Sequence, residues 1–465
     1  MSELPASVLP VAALPEQTHN LSVEDRTERG RALRDNCPRR GHGAWAVPKG
    51  RRDPIEILIE QGQHRLPELL PLRYSRMRVT PFAFLRGAAA VMASDLAATP
   101  STGLRMQAAG DCHCLNFGGF ATAERRLAFD INDFDETAVA PWEWDVKRLA
   151  ASFAVAAVDR FDVPTRIALA AEVARSYRQT MAEMASMPVL DAWYRALTLD
   201  DDATAVAAGI TNHDLHKAGK ALIHAVEIAD IRHHGQSVPR IADVPPLVYH
   251  PPADEAAGFH ADVEAMLPGY ASSLTPERRT LLARYRLADT AYKVVGVGAV
   301  GTLCGIMLMV SGNGEALYLQ FKEATASVLE AHAGPSPYSH PGARVLRGQR
   351  LLQAAGDILL GFTTGPRGRP VYVRQLRDAK IKPQVEAMES KDMLRYAATC
   401  GSVLARAHSR SGDAGMLSGY LGKNDDFDQA IAAFAMTYAD QTKKDHTALI
   451  DAIAAGRLPA LPEAS

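Results

Sequence analysis

Gly110-Asp111-Cys112-His113-Cys114-Leu115-Asn116 is followed, after a short apolar strand, by Asp130-Ile131-Asn132-Asp133-Phe134-Asp135-Glu136, and how these two turns are read decides the fold. Phosphoryl transfer from ATP needs one carboxylate to orient the acceptor hydroxyl. It also needs an amide oxygen and a second carboxylate to hold Mg2+ on the phosphates. Asp111 and Asn116 stand at the spacing D-x-x-x-x-N, and Asp133 with Phe134 closes the following strand. Asp111 then reads as the base, with Asn116, Asp133 and Asp135 as metal ligands. Alone the spacing arises by chance, and Asx-rich turns use the same residue types. The Asp-Phe at a strand's end makes the pair more specific. Asp130, Asp133, Asp135 and Glu136 crowd four carboxylates into seven residues. They repel one another unless a metal or basic groups lie among them.

Val295-Gly296-Val297-Gly298-Ala299-Val300-Gly301-Thr302 is the second signal, a G-x-G-x-x-G element. In a dinucleotide fold the last glycine opens a helix. Here Thr302 to Val310 is β-prone and runs into Ser311-Gly312-Asn313-Gly314, so a hairpin is the better reading. A glycine loop between antiparallel strands lets backbone N–H groups cover ATP phosphates, with Gly296, Gly298, Gly301 and Thr302 at the nucleotide. Such a site places a lysine on the third strand. Lys322 ends the stretch Leu317-Tyr318-Leu319-Gln320-Phe321 and is the expected anchor for the phosphates. Its partner should be a glutamate from the next helix, for which Glu330 is the candidate; Glu323 points to the opposite strand face.

Outward from these segments, residues 1–80 read as an N-terminal extension with an Arg-rich stretch, Arg29, Arg31, Arg34, Arg39 and Arg40, taken as a solvated charged face. Residues 81–290 read as a helical lobe with the catalytic and metal loops. Within it, helical spacing runs from Trp144 to about Ala185 and from about Asp214 to Ile231. Gly235 to Pro252 reads as a long surface connection. Residues 291–380 form a β-rich lobe whose strands are Tyr292 to Gly296, Thr302 to Val310, Leu317 to Phe321 and Val371 to Arg374, with a helix at Val345 to Ala355. Residues 381–465 return to helix and complete the helical lobe.

The 465 residues, 47% hydrophobic and 22% charged, are enough for two or three packed lobes and exclude disorder as the main theme. A formal charge of −2 gives no global pull toward nucleic acid or an anionic membrane. Cys37, Cys112, Cys114, Cys304 and Cys400 are too scattered for a disulfide framework, which fits a reducing, cytoplasmic setting. Met1 to about Gln17 lacks a basic start followed by an apolar run, and no segment approaches the ~18 apolar residues a membrane helix needs.

With Trp144-Asp145-Val146-Lys147-Arg148-Leu149-Ala150 added, the Asp111 and Asp133 segments resemble the catalytic loop, metal loop and following helix of aminoglycoside phosphotransferases and their kinase-like relatives. Those enzymes usually carry His-Gly-Asp, where this chain has Ala109 before Gly110-Asp111. The resemblance gives Asp145 the role of a buried carboxylate that hydrogen-bonds the catalytic loop. From roughly Asp53 to Ala439 the chain also resembles a bacterial family defined only as a domain of unknown function, through Phe84-Leu85-Arg86-Gly87, Arg347-Gly348-Gln349-Arg350 and Leu404-Ala405-Arg406-Ala407-His408. In kinases the glycine loop precedes the catalytic loop, and here the order is reversed. The expected fold is therefore α+β, a two-lobed protein-kinase-like fold, circularly permuted, with Leu104 spatially after Arg410. It implies an ATP- and Mg2+-dependent phosphotransferase acting on an unknown small-molecule or protein acceptor. The alternative is a nucleotide-binding regulatory module or an AMP-transferring enzyme on the same fold. Arg374, Arg377 and Lys380 would lie just past the lobe junction, and Arg86 is a further phosphate-binding candidate, although a helix-surface arginine is the blander reading.

Other chemistries are weaker. Cys112, His113 and Cys114 have poor spacing for one tetrahedral zinc, and nothing local brings Cys112 to His408 as a nucleophile pair. A dinucleotide site at the glycine loop is the remaining rival. His213, His216, His224, His233 and His234 could line an acceptor site but read better as exposed helix histidines.

Overall fold

The computed structural model describes residues 20–199, 208, 210, 229–233, 236–294, 296–376 and 381–462. Met1 to Gln17, Val295, Arg377 and Lys380 lie outside the described residues, as do His213, His216, His224, His234 and the expected helix from Asp214 through residue 228.

The two sequence turns meet because the chain doubles back between them. Strand β1 (Arg105–Ala108) leads into the Asp111 turn, and β2 (Phe117–Ala121) and β3 (Leu127–Ile131) form a hairpin that returns the chain to Asp133. Strand β4 (Ala138–Pro141) then pairs antiparallel with β1, with Ala138 opposite Ala108. β5 (Leu197–Thr198) extends the hairpin beside β3. The amide of Asn132 donates to the Asn116 carbonyl at 2.9 Å and ties the turns directly.

Helices Trp142–Ala156, Val163–Ser186, Ser390–Ser409 and Asp426–Ala454 enclose the main apolar core. Trp142 stacks on Tyr177 there, with centroids 5.6 Å apart. The single helical run expected from Trp144 to Ala185 breaks in two. Asp162 caps the second helix by accepting from the Thr165 amide at 3.0 Å, and Pro164 fits only its first turn. The C-terminal end of Ser390–Ser409 abuts β1: the Gln107 amide donates to Ser411 Oγ at 3.1 Å. Gly412 lies against the Met106 side chain, where an added Cβ would be 2.7 Å from Cε.

The stretch from Gly235 to Pro252 is more ordered than its prolines suggest. β6 (Ala229–His233) and β7 (Gln236–Arg240) pair as a hairpin, and β8 (Val248–Tyr249) is the edge of a six-stranded antiparallel sheet. That sheet continues with β9 (Tyr285–Lys293), β10 (Cys304–Ser311), β11 (Ala316–Glu323), β12 (Gly361–Thr364) and β13 (Pro370–Gln375), in the order β12-β13-β11-β10-β9-β8. The sheet thus begins upstream of the expected lobe start at 291. β9 starts at Tyr285 rather than Tyr292, because Asp289 disguises it: this mid-strand carboxylate accepts from the Ile241 amide at 2.7 Å and lies 3.0 Å from His250 Nε2. Met307, Leu319, Phe321 and Val373 pack one sheet face under helix Ala253–Ser273, while Ile306, Leu308 and Val310 fill the other. Helix Pro341–Leu352 bridges β12 and β13 to the main core through Val345, Leu346 and Leu352.

The Arg-rich N-terminal stretch is only partly a solvated face. Helix Val23–Asn36 crosses helix Ala414–Leu421 closely, and a Cβ on Gly419 would meet the Thr27 carbonyl at 2.0 Å. Arg34 Nε donates to the Tyr420 carbonyl at 2.9 Å and Arg39 to that of Leu421 at 2.7 Å, satisfying the open end of that helix. Arg40 pairs with Asp426, and Arg29 and Arg31 remain exposed. The whole is mixed α+β, with a curled antiparallel sheet. Among the described residues no helix is long and apolar enough to cross a membrane.

Candidate functional site

The Asp111 turn is built on Gly110, whose φ of +86° suits glycine and whose Cβ would sit 2.1 Å from the Glu136 carbonyl. Asp145, from the first turn of helix Trp142–Ala156, accepts from the amides of Ala109 (2.6 Å) and Gly110 (3.0 Å). These bonds set where Asp111 begins. One turn along that helix, Arg148 donates to Asp111 Oδ1 from Nε at 2.8 Å and also from Nη2, and to the Leu85 carbonyl at 3.0 Å. Asp111 Oδ2 is left facing the glycine loop.

The neighbours of Asp111 do not supply a thiolate. Burial drives the Cys112 thiol well above its ordinary pKa and Cys114 up to about 12, so neither is a thiolate nucleophile. His408 is engaged elsewhere, 3.1 Å from Asp145 and 2.9 Å from the Tyr177 hydroxyl. Burial, then the charges of Arg86 and Arg148, hold His113 well below its ordinary pKa and keep it neutral. Among the described residues no three His, Cys, Asp or Glu side chains converge on a metal position.

The acidic cluster is relieved by basic groups and amides. Asp130 is buried against Arg406 and accepts from the Ile131 amide at 2.8 Å, away from the cleft. Glu136 accepts from the Val328 amide at 2.7 Å. Asp135 takes the ammonium of Lys322 and the Tyr372 hydroxyl, the latter at 2.6 Å. Burial opposes its charge, but Lys322 and Tyr372 hold Asp135 below its ordinary pKa. Asp133 is more open than Asp135 or Asp130. Its Oδ1 lies 4.0 Å from Lys322 Nζ, and burial followed by the Asp135 charge raises its pKa. Asn116 Nδ2 donates to the Asp111 carbonyl at 2.7 Å, which fixes the amide plane beside them. Asn116, Asp133 and Asp135 offer oxygen donors only, a set that fits Mg2+.

The glycine loop joins β9 to β10 without a helix after Gly301, so it lacks the strand–helix geometry of a dinucleotide site. It crosses the cleft and is pinned on the far side. Val297 is buried among Ile55, Phe84 and Leu449, and Arg73 donates to the carbonyls of Val297 (3.2 Å) and Gly298 (2.8 Å). A Cβ on Gly298 would lie 3.7 Å from Asp111 Oδ2, which brings the loop over the Asp111 turn. Gly301 is held at φ +94° with its missing side chain against Arg65, so it shapes the loop without lining the cleft. Thr302 Oγ1 donates to the Ala299 carbonyl at 2.8 Å.

Lys322, one residue before the end of β11, is buried, but Glu330 is not its partner. Glu330 accepts from the amides of Ser327 (2.9 Å) and Ser336 (3.1 Å) and faces Arg344 at 3.5 Å. The reason is local: the chain turns at Gly334, φ +93°, and closes these amides around the carboxylate. Glu323 pairs with Arg369 on the opposite face, as expected.

A cleft of about 540 Å3 thus collects Asp111, Asn116, Asp133, Asp135, Gly296, Gly298, Thr302 and Lys322. Gly301 and Glu330 stand outside it. Sequence reasoning missed Arg148 and Tyr372, which carry no local signal because their carboxylate partners lie 37 and 237 positions away. No curated protein and no solved structure matched the chain. A family profile did, over residues 65–452, and the chain belongs to the family described as "Uncharacterized protein conserved in bacteria (DUF2252)".

Proposed function

We propose that this protein is an ATP- and Mg2+-dependent phosphotransferase with a kinase-like two-lobed architecture read in permuted chain order. One observation carries the reading: Lys322, on the third strand of a glycine-loop meander, is ion-paired to the acidic turn that lies 187 residues earlier, at a cleft that also holds Asp111. Protein kinases need the same parts, a glycine-rich loop, a lysine on the third strand and a metal-binding aspartate. The permuted order is supported by the contact of Gln107 with Ser411, which sets the end of helix Ser390–Ser409 against the strand entering the Asp111 turn.

In this reading Asp111 accepts the proton of the acceptor hydroxyl as that oxygen bonds to the transferred phosphorus and the bond to the nucleoside diphosphate breaks. Arg148 holds the carboxylate in place through Oδ1 and leaves Oδ2 for the acceptor. Lys322 and the loop amides neutralise and position phosphate oxygens, and Asn116 and Asp133 would hold Mg2+, which when bound would supply charge stabilisation of the transferred group. The pairing of Asp111 with Arg148 also supports a second reading, a nucleotide-binding module without turnover, since Arg148 already occupies one oxygen of the carboxylate that would take the acceptor hydroxyl.

Calorimetry with ATP, with and without Mg2+, on wild type, Asp133→Ala and Lys322→Ala tests the proposal. Metal-dependent binding weakened by ~10-fold or more in both variants is expected. Absence of ATP binding, or binding unchanged in both variants, would overturn it.

A further inference from the structure

One end of the cleft has no task in nucleotide binding as described. Arg65, Arg76 and Arg86 line it near Asp111 and His113. Arg65 is occupied, donating to the Val300 carbonyl at 2.6 Å. Arg86 differs: among the described residues its guanidinium has no hydrogen bond and no ion pair, and its Nε is buried without a partner. Its one aromatic contact is the Phe82 ring, 6.0 Å from Cζ. Arg76 lines the same cleft, and burial followed by the Arg86 charge lowers its pKa. Paired cations at a cleft wall are stabilised by an anion between them, and the planar guanidinium fork matches phosphate or carboxylate oxygens.

The position is informative. Arg86 Nη2 lies 3.8 Å from where a Cβ on Gly296 would sit, so the guanidinium reaches the glycine loop. The Arg86 carbonyl and Asp111 Oδ2 lie 3.3 and 3.7 Å from the corresponding point on Gly298. A group held by Arg86 is therefore within a small molecule's reach of the Asp111 carboxylate.

We propose that Arg86 and Arg76 form an anion subsite that takes a phosphate or carboxylate group of the acceptor and presents its hydroxyl to Asp111. The acceptor is then an anionic small molecule, unlike the polycationic aminoglycosides. This rests on the phosphotransferase reading for the acceptor's role, while the anion site stands on its own geometry.

The test is calorimetry of the full chain with inorganic phosphate, alone and with saturating Mg2+ and a non-hydrolysable ATP analogue. Wild type, Arg86→Gln, Arg86→Lys and Lys322→Ala are compared, with thermal melting to establish folding. Wild type is expected to bind phosphate with or without the analogue, and Lys322→Ala to match it. Arg86→Gln should lose about tenfold or more, and Arg86→Lys should fall between, since it keeps the charge without the fork. If Arg86→Gln melts early, Arg86→Lys carries the comparison. Absent phosphate binding, or binding untouched by either Arg86 variant, overturns the subsite. Phosphate displaced by the analogue and lost in Lys322→Ala identifies the nucleotide's own phosphate position and also overturns it. Phosphate bound through Arg86 in a protein that binds no analogue removes the acceptor role and the phosphotransferase reading, leaving an anion site alone.

Discussion

His408 Nε2 stands 3.1 Å from Asp145 Oδ2, joining the end of helix Ser390–Ser409 to the helix that follows the acidic turn. Both side chains are buried, and the same carboxylate carries the amides of Ala109 and Gly110. Asp145→Ala leaves three buried donors or polar partners unanswered. A loss of ~3–5 kcal/mol in a urea titration is expected. A loss below about 1 kcal/mol would mean the turn is held by other contacts.

The Arg406–Asp130 pair separates a structural carboxylate from the metal candidates beside it. Arg406→Leu strands Asp130 in the interior and is expected to cost ~3–5 kcal/mol, whereas Arg406→Leu with Asp130→Leu should recover much of this. Because Asp130 is turned from the cleft, the folded double variant should keep its Mg2+-dependent ATP binding. Loss of that binding would return Asp130 to the site.

Lys147 predicts a pH signature. Burial pushes its pKa down from 10.5 to about 8, and its ammonium has no hydrogen bond, facing the Phe434 ring at 5.2 Å. A lysine depressed in the folded state binds its proton more weakly there than when unfolded. The associated penalty is full below about pH 8 and fades as pH rises toward 10.5. Lys147→Met is therefore expected to stabilise by roughly 1–3 kcal/mol at pH 7. The wild-type deficit relative to the variant should shrink between pH 8 and 10.5, read by denaturant titration at several pH values. A pH-independent difference would contradict the assignment.

Arg73 fastens the glycine loop. Its guanidinium serves the carbonyls of Val297, Gly298 and Gly87, the last at 2.7 Å. Arg73→Met leaves them without that donor, at ~1–3 kcal/mol for each that stays buried. Hydrogen exchange should accelerate across residues 296–302 ahead of the sheet strands. Unchanged exchange there would show that Val297 and the Arg65 bond to the Val300 carbonyl suffice as the anchor.

The parts that could be read along the chain are those fixed by local chemistry. The glycine run and Ser311-Gly312-Asn313-Gly314 impose turns, so the β9–β10–β11 meander and the location of Lys322 followed from spacing. Asp111 and Asn116 were legible for the same reason. What could not be read was pairing across the fold. Lys322 reaches Asp135 rather than the nearby Glu330, because amides on either side of the Gly334 turn capture Glu330 first. Arg148 has the spacing of an ordinary helix residue, and only the folded chain turns it to Asp111. Asp289 hid the start of β9 because its partners, Ile241 and His250, come from a proline-rich segment with no strand periodicity.

The seat of Val297 has a consequence for how the protein is made. That small core draws on Ile55 and Leu58, on the loop itself, and on Leu449 and Leu458. A chain emerging from the ribosome presents the receiving helices first and the glycine loop long afterwards. The loop therefore has only part of its socket until helix Asp426–Ala454, which carries Leu449, has been made.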